Sequence, residues 1–334
     1  MGIKVACIMM QKDEFMLFDA WITYYSHLFS PPNLYVFDNG STHHLMADKL
    51  LAAEQKGVHV YRDYNTKADF MAKGKIFADL IRQLDATTSD PYDFYFPLDC
   101  DEFIAVETND TRSCERKPIL EELSCYKDVK NVLRIDSKYY TTPFQQNLYR
   151  RLMHNITTKC FFAKDACVDL DHGFHQGKSV LGKEQVRTGI IYFEFHCKPY
   201  LEYRRSCREK LSGLIADFSS VSLESYYKSR KDNFHSANEL LLSKYDYLRL
   251  CRNEDYCWVD PALLNKFDEL AINYAPFYEQ SSRLPRPIWI LSLWLRHQAS
   301  RLYMHLERLQ HLLYRFLAKM NRIIKRSMRM LLLR

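Results

Sequence analysis

The chain has 334 residues, 47% hydrophobic and 26% charged, with only 9 Gly and 11 Pro. Such a chain buries a large core and is neither disordered, collagenous nor linker-rich. Its net charge of +6 is uneven: residues 283–334 hold 12 Lys or Arg against the single acid Glu307, whereas residues 1–282 hold 35 basic against 40 acidic residues. The body therefore lacks the electrostatic footprint of a nucleic-acid binder, and the basic surplus belongs to the tail.

At the N-terminus, Ile3 to Met10 is apolar-rich but too short for a signal anchor and has no small-residue cleavage site. The ten cysteines include no C-x-x-C pair, so a zinc ribbon is not expected and a cytosolic chain with reduced thiols is. From there, β-rich runs at Ile3–Met9, Leu34–Phe37, Val58–Tyr61 and Tyr92–Leu98 alternate with helical patterns at Phe15–Leu28, Leu45–Ala53 and Phe70–Leu84. One helix between successive short strands predicts a parallel sheet with right-handed crossovers and ligands beyond the carboxyl ends of its strands. No G-x-G-x-x-G loop is present, and Gly173 to Ser179 falls one residue short of a phosphate-binding loop.

Beyond residue 107 the pattern loosens. Strands are expected at Val129–Ile135, Thr158–Ala163 and Gly189–His196, a polar loop at Asp165–Ser179, a helix from Pro199 to about Leu214, and mostly helix over 223–275. The expected division is one domain over 1–215, in two halves, 1–105 and 106–215. A helical region (216–282) and a basic amphipathic tail (283–334) follow.

Two predicted strand ends are polar: Asp38-Asn-Gly-Ser-Thr42 and Asp99-Cys-Asp-Glu102. Residues two apart on an extended chain project to one side, so Asp99 and Asp101 can hold a hard divalent cation that keeps positions open for phosphate oxygens. The turn after Asp38 suits either a helix cap or a grip on a ribose or base.

Gln11-Lys-Asp-Glu14, Phe18-Asp-Ala-Trp-Ile22, Tyr35 to Thr42 and Phe96-Pro-Leu-Asp-Cys-Asp-Glu-Phe103 together resemble the ordered blocks of family-2-like glycosyltransferases of GT-A fold, the subgroup with an Asp-x-Asp-Glu-Phe motif. The resemblance covers residues 3–105, continues weakly to about 215, and implies an α/β, GT-A-like Rossmann-type sheet, mostly parallel, with helices on both faces and a helical C-terminal extension. It implies that Asp38 and Asp99 bind a nucleotide-sugar, with a UDP-sugar favoured, and that Asp99 and Asp101 hold Mn²⁺ or Mg²⁺ on the diphosphate. His196 is placed by sequence order as a third metal ligand, or as a structural histidine. Asp13 stands where the family usually has Asn, and Cys100 where it has a hydrophobic residue. Lys73 and Lys75 offset diphosphate charge or form a solvated helix face.

An inverting transferase needs a carboxylate that takes the acceptor proton. Asp169, Asp171 and Glu194 are candidates; Asp171 is chosen because it lies in a Gly-containing polar loop beside His172, where an acceptor lid is expected. Glu102 and His175 are expected on the acceptor side, with turn or capping roles as the alternative.

In the tail, Leu302, Leu306, Leu309, Leu313, Phe316, Met320 and Ile323 make one helical stripe, flanked by arginines every seven residues from Arg301 to Arg329. Anionic lipids answer those charges, and the apolar run Ile288–Leu295 is too short to span a bilayer. Residues 288–334 are therefore expected to lie on the inner face of a membrane; packing on the domain or a partner is the alternative. The sequence thus predicts a cytoplasmic, peripheral, metal-dependent glycosyltransferase acting on a glycan or lipid-linked hydroxyl. The alternatives are a haloacid-dehalogenase-type phosphatase and a non-catalytic membrane scaffold.

Overall fold

Alternating apolar runs become β1 (Val5–Gln11), β2 (Leu34–Asp38), β3 (His59–Tyr61) and β4 (Phe94–Pro97), interleaved with α1 (Phe18–Phe29), α2 (His44–Gln55), α3 (Lys67–Met71) and α4 (Lys73–Thr87). The computed structural model describes residues 2–279 except 88–89, 109–110, 144, 152–156, 232–233 and 252–256. Residues 1–281 form one unit and 282–334 a second; the tail stripe and its membrane assignment lie outside the described residues. Among the described residues no helix is long and apolar enough to cross a membrane.

The middle of the chain adds β5 (Glu102–Thr108), β6 (Thr111–Ser113), α5 (Arg116–Ser124), β7 (Val132–Arg134), β8 (Ser137–Thr142), β9 (Gln145–Arg151) and β10 (Cys160–Ala163). There follow β11 (Cys167–Leu170), β12 (Gly177–Ser179), β13 (Gln185–Arg187) and β14 (Ile190–Glu194). The chain continues through α6 (Tyr200–Leu211), α7 (Ser220–Ser229), α8 (Phe234–Leu241), α9 (Lys244–Cys251), β15 (Cys257–Val259) and α10 (Ala262–Glu269). The result is an α/β fold with two main sheets, ordered β13-β7-β10-β4-β1-β2-β3 and β15-β9-β8-β14-β5-β6.

In the first sheet β1 runs parallel to β2 and β4, β2 to β3 and β7 to β13, while β10 is antiparallel to both neighbours. All seven residues of β1 are buried, as a central strand covered on both faces requires. Ala6, Ile8 and Met10 join a cluster with Phe77, Ala78 and Ile81 of α4. Successive side chains alternate faces, so Val5, Cys7 and Met9 turn the other way, the side covered by α1. Tyr24 and Tyr25 of α1 reach into the second sheet: their hydroxyls donate to the carbonyls of Ile104 and Glu102 at 2.6 and 2.9 Å. Tyr25 Oη also accepts the Ile104 amide at 3.0 Å. These bonds fix the start of β5 and with it the segment 98–101.

The structure departs from the expected pattern in four places. The predicted helix Phe70–Leu84 is two helices, α3 and α4, meeting at Ala72. Thr66 closes α3 with a reciprocal cap to Asp69, its hydroxyl accepting the Asp69 amide, and that bond sets a start upstream of the apolar stripe. The polar segment Asp165–Ser179 is a hairpin of β11 and β12 whose turn is hydrogen-bonded, not an open loop. The stretch 223–275 contains strand β15, paired antiparallel to β9. The largest departure is the second sheet, whose strand pairs are antiparallel except β8 with β14; the mostly parallel description holds for the first sheet only.

Candidate active site

The carboxyl ends of β1, β2 and β4 lie side by side, because Gln11 pairs with Asp38 and Ile8 with Pro97. Asp38 ends β2 and is 7% exposed. Its Oδ1 accepts Gln11 Nε2 at 2.6 Å and Ser41 Oγ at 2.5 Å, and the Ser41 amide approaches both oxygens at 3.3 Å. Asp13 closes the same loop from above, its carboxylate accepting the amides of Thr42 and His43 at 3.0 and 2.9 Å. Asn39 donates to the carbonyls of Tyr64 and Thr66 at 2.7 and 2.8 Å. Gly40 adopts φ +73°, and a Cβ there would stand 2.9 Å from the Asn65 carbonyl, so both conformation and space require glycine. Asp38 thus acts as a loop cap, with Oδ2 less committed than Oδ1.

Asp99 lies two residues beyond β4. Across two interstrand steps its backbone stands about 10 Å from that of Asp38. Its side chain is about a third exposed, yet both oxygens are held: Lys73 Nζ donates to Oδ1 at 2.8 Å and Lys159 Nζ to Oδ2 at 2.5 Å. Desolvation pushes the Asp99 carboxyl up, but the Lys159 and Lys73 ammonium groups outweigh it and hold it well below the usual carboxylate range. Both oxygens of Asp99 are thus engaged by lysine ammonium groups. Among the described residues no group of three His, Cys, Asp or Glu side chains is assembled for a metal.

Asp101 differs. It is partly exposed, and its carbonyl accepts the Phe195 amide at 2.8 Å, which aligns it with the end of β14. Desolvation, with Glu194, Asp99 and Glu14 nearby and Lys198 opposing, raises its carboxyl above the ordinary value. Lys198 itself is taken by Glu14, with both carboxylate oxygens at 3.1 Å. A carboxylate surrounded by like charge suits a divalent cation that takes its remaining ligands from a phosphate. Asp101 thus stands among like charges, whereas Asp99 is paired with two lysines.

Glu102, expected at the acceptor side, is 2% exposed. Its Oε2 accepts the Asp99 amide at 2.8 Å and its Oε1 lies 3.4 Å from Lys159 Nζ. The acceptor expectation is corrected: Glu102 holds the turn that carries Asp99. His196 is half exposed, and its Nδ1 lies 3.3 Å from Glu194 Oε1, an arrangement that fixes the ring beside Tyr140. Desolvation pushes Glu194 up, but His196 and Lys138 bring it below the ordinary range. Asp171 is exposed; its Oδ1 accepts the Gln176 amide at 2.8 Å, closing the turn between β11 and β12. His175 rests with Nδ1 3.3 Å from the Thr158 carbonyl. Lys75 is exposed on α4, a solvated face, whereas Lys73 is buried against Asp99.

No protein-family model matches the chain, and no curated protein sequence does. Among solved structures, it is similar to TarS of S. aureus at 12% identity and TM-score 0.32, covering 73% of this chain and 45% of that one. A shorter TarS form, 1–349, gives 12% identity and TM-score 0.33 over 88% of this chain and 79% of that one. The same form in complex with UDP gives 12% and 0.32 over 71% and 70%. The chain thus spans less than half the length of the first of these.

Sequence reasoning missed Lys159 altogether. Its position just before β10 looks like an ordinary strand flank, and only the pairing of β10 with β4 brings it to Asp99. A strongly polar Thr-Thr-Lys run leading into an apolar strand was the available signal. The lysines also set a pH dependence. Burial, then the Lys73 ammonium for His172 and the Lys159 ammonium for His175, pull both imidazoles below their ordinary value. The unfolded chain then binds more protons as pH falls below about 6.5, so stability is full above that pH and declines beneath it. Urea midpoints measured from pH 7.5 to 5.0 should fall more steeply for the native chain than for His172→Gln/His175→Gln; parallel curves would show that these rings do not titrate in folding.

Proposed function

We propose that the protein is a nucleotide-sugar-dependent glycosyltransferase, with a UDP-sugar as donor and a glycan or lipid-linked hydroxyl as acceptor, acting with inversion. One observation carries the reading: carboxylates of Asp38, Asp99 and Asp101 and the ammonium groups of Lys73 and Lys159 stand at the carboxyl edge of parallel strands, where open α/β sheets bind ligands. That edge offers acceptors for ribose hydroxyls and cations for phosphate, the two chemistries of a sugar nucleotide. The sequence resemblance to GT-A glycosyltransferases points to the same edge.

In this reading Asp38 takes a base or ribose contact through Oδ2, Asp99 a ribose hydroxyl, and Lys73 meets the diphosphate with the ammonium hydrogens not given to Asp99. Asp101, with His196 a further candidate, would hold Mn²⁺ or Mg²⁺, which when bound neutralises the departing diphosphate. Asp171 removes the acceptor proton: its exposed carboxylate keeps one oxygen uncommitted, and its backbone abuts α4 at Gly74, beside Lys73. The phosphatase alternative would need Asp99 as nucleophile, and both its oxygens are bound to lysines. Residues 288–334 would bring the site to an anionic membrane surface.

The test is a panel of UDP-, GDP- and CMP-sugars with Mn²⁺, beginning with UDP and UDP-GlcNAc, the ligands named for TarS structures. Donor hydrolysis or a concentration-dependent rise in Tm with one diphosphate is expected. Release of phosphate from small phosphomonoesters, with no nucleotide effect, would favour the phosphatase instead.

A further inference from the structure

Lys159 is 3% exposed, and its ammonium group donates to two acceptors and forms an ion pair with a third. These are Asp99 Oδ2 at 2.5 Å, the Gly173 carbonyl at 3.0 Å and Glu102 Oε1 at 3.4 Å. One of these acceptors is at the donor edge and one is in the turn 171–176 between β11 and β12. That turn holds a backbone strain: Phe174 is fully buried with φ +60°, a left-handed conformation that costs about 1 kcal/mol or more for a residue with a Cβ. The ammonium groups of Lys73 and Lys159 stand 4.5 and 4.9 Å from the Phe174 ring centroid, contacts that favour this placement of the ring. Cys160 adds a backbone bond to the Phe174 carbonyl at 2.7 Å.

We propose that Lys159 is a positioning residue that ties the turn 171–176 to Asp99, so that occupation of the donor edge sets the order of the turn carrying Asp171, His172 and His175. A hydroxyl or phosphate arriving at Asp99 changes how its charge is shared between the two lysines. Lys159 also donates to the Gly173 carbonyl, so a change at Asp99 is passed to the turn. An anion at the edge restrains both cations and closes the turn. The inference rests on the donor reading above for its nucleotide arm, and its variant arm stands without it.

Hydrogen exchange on the full chain separates the two. The amides of Phe174 and Gln176, which donate to the Asp171 carbonyl at 3.0 Å and to Asp171 Oδ1 at 2.8 Å, are the reporters. Without nucleotide, Asp99→Asn and Lys159→Met should each speed exchange at 171–176 on the order of tenfold, the loss of one charge-assisted hydrogen bond, while β1 and β2 keep their protection. Lys159→Arg, which preserves the charge and several donors, should stay much closer to the native chain. With UDP and Mn²⁺, exchange in the turn should slow in the native chain and not in Lys159→Met. Unchanged exchange in Asp99→Asn, or a UDP response in Lys159→Met equal to the native one, overturns the proposal. If UDP changes neither Tm nor exchange in the native chain, the donor reading fails and the Asp99→Asn result alone decides the link.

Discussion

Gly74→Ala is expected to destabilise the protein, although Gly to Ala inside an exposed helix ordinarily stabilises by about 1 kcal/mol. Gly74 lies in the first turn of α4, and a Cβ there would stand 2.2 Å from the Asp171 carbonyl oxygen and 2.4 Å from that of Leu170. Both obstacles are backbone, so no side-chain rotation relieves them, and α4 and the end of β11 must separate. Overpacking of this kind costs about 1–3 kcal/mol and occasionally more. Because the contact admits no methyl at all, the upper end applies, for a net loss of about 2 kcal/mol, or roughly 4–8 °C in Tm for a unit of this size. The same separation draws Lys73 away from Asp99, so nucleotide affinity should fall with stability. Thermal denaturation checks the first and UDP titration the second; a Tm equal to or above the native value would mean that the close approach of α4 to β11 is not real.

That contact shows where the sequence stops speaking. The alternation in residues 3–98 was legible because β1, β2 and β4 are buried throughout and α1, α2 and α4 each bury one apolar side, so period and length separate them. The polar ends at Asp38 and Asp99 were legible for the same reason, standing out against continuous apolar runs. The second sheet was not. β6, β8, β9 and β13 are short or mix Tyr, Thr, Gln and Arg, and their stability comes from partners distant in sequence: Arg112 of β6 bridges Glu107 and Asp260 at 2.8 Å each and contacts Tyr139. No local pattern encodes such a bridge.

In the site the residue types were readable and their partners were not. A D-x-D after a strand says that two carboxylates share an edge, but not that Lys73 and Lys159, 26 residues before and 60 after, close on one of them. The same limit applies to Glu102. It was expected on the acceptor side or in a turn, whereas the register of β5 with β14 sets it opposite Glu194 in the interior. Two carboxylates directly opposed across antiparallel strands cannot both ionise cheaply. Burial raises Glu102 well above its ordinary value, with Asp99, Glu194 and Asp101 adding and Lys159 opposing, while His196 and Lys138 help bring Glu194 down. Glu102 is thus shifted toward its neutral form and Glu194 toward its charged form.

Asp101→Asn should separate activity from stability. The native carboxyl is pushed up by desolvation and by Glu194, Asp99 and Glu14 against the Lys198 ammonium, so its charge opposes folding across neutral pH and an amide of the same shape removes that opposition. The sign follows from linkage: a group whose folded pKa is raised favours its protonated form, and its charged form is a cost once pH exceeds the unfolded value. The amide should therefore leave Tm unchanged or slightly higher at pH 7, with the native chain recovering relative to it as pH falls toward about 4. Donor turnover should fall on the order of 10²–10³-fold, the usual effect of removing one group that stabilises developing charge, and Mn²⁺ should no longer raise Tm in the presence of UDP. A carboxylate kept where the fold disfavours it is the mark of a residue held for its chemistry. Full turnover in Asp101→Asn would remove the residue from the site, and a large drop in Tm would show that its charge is structural after all.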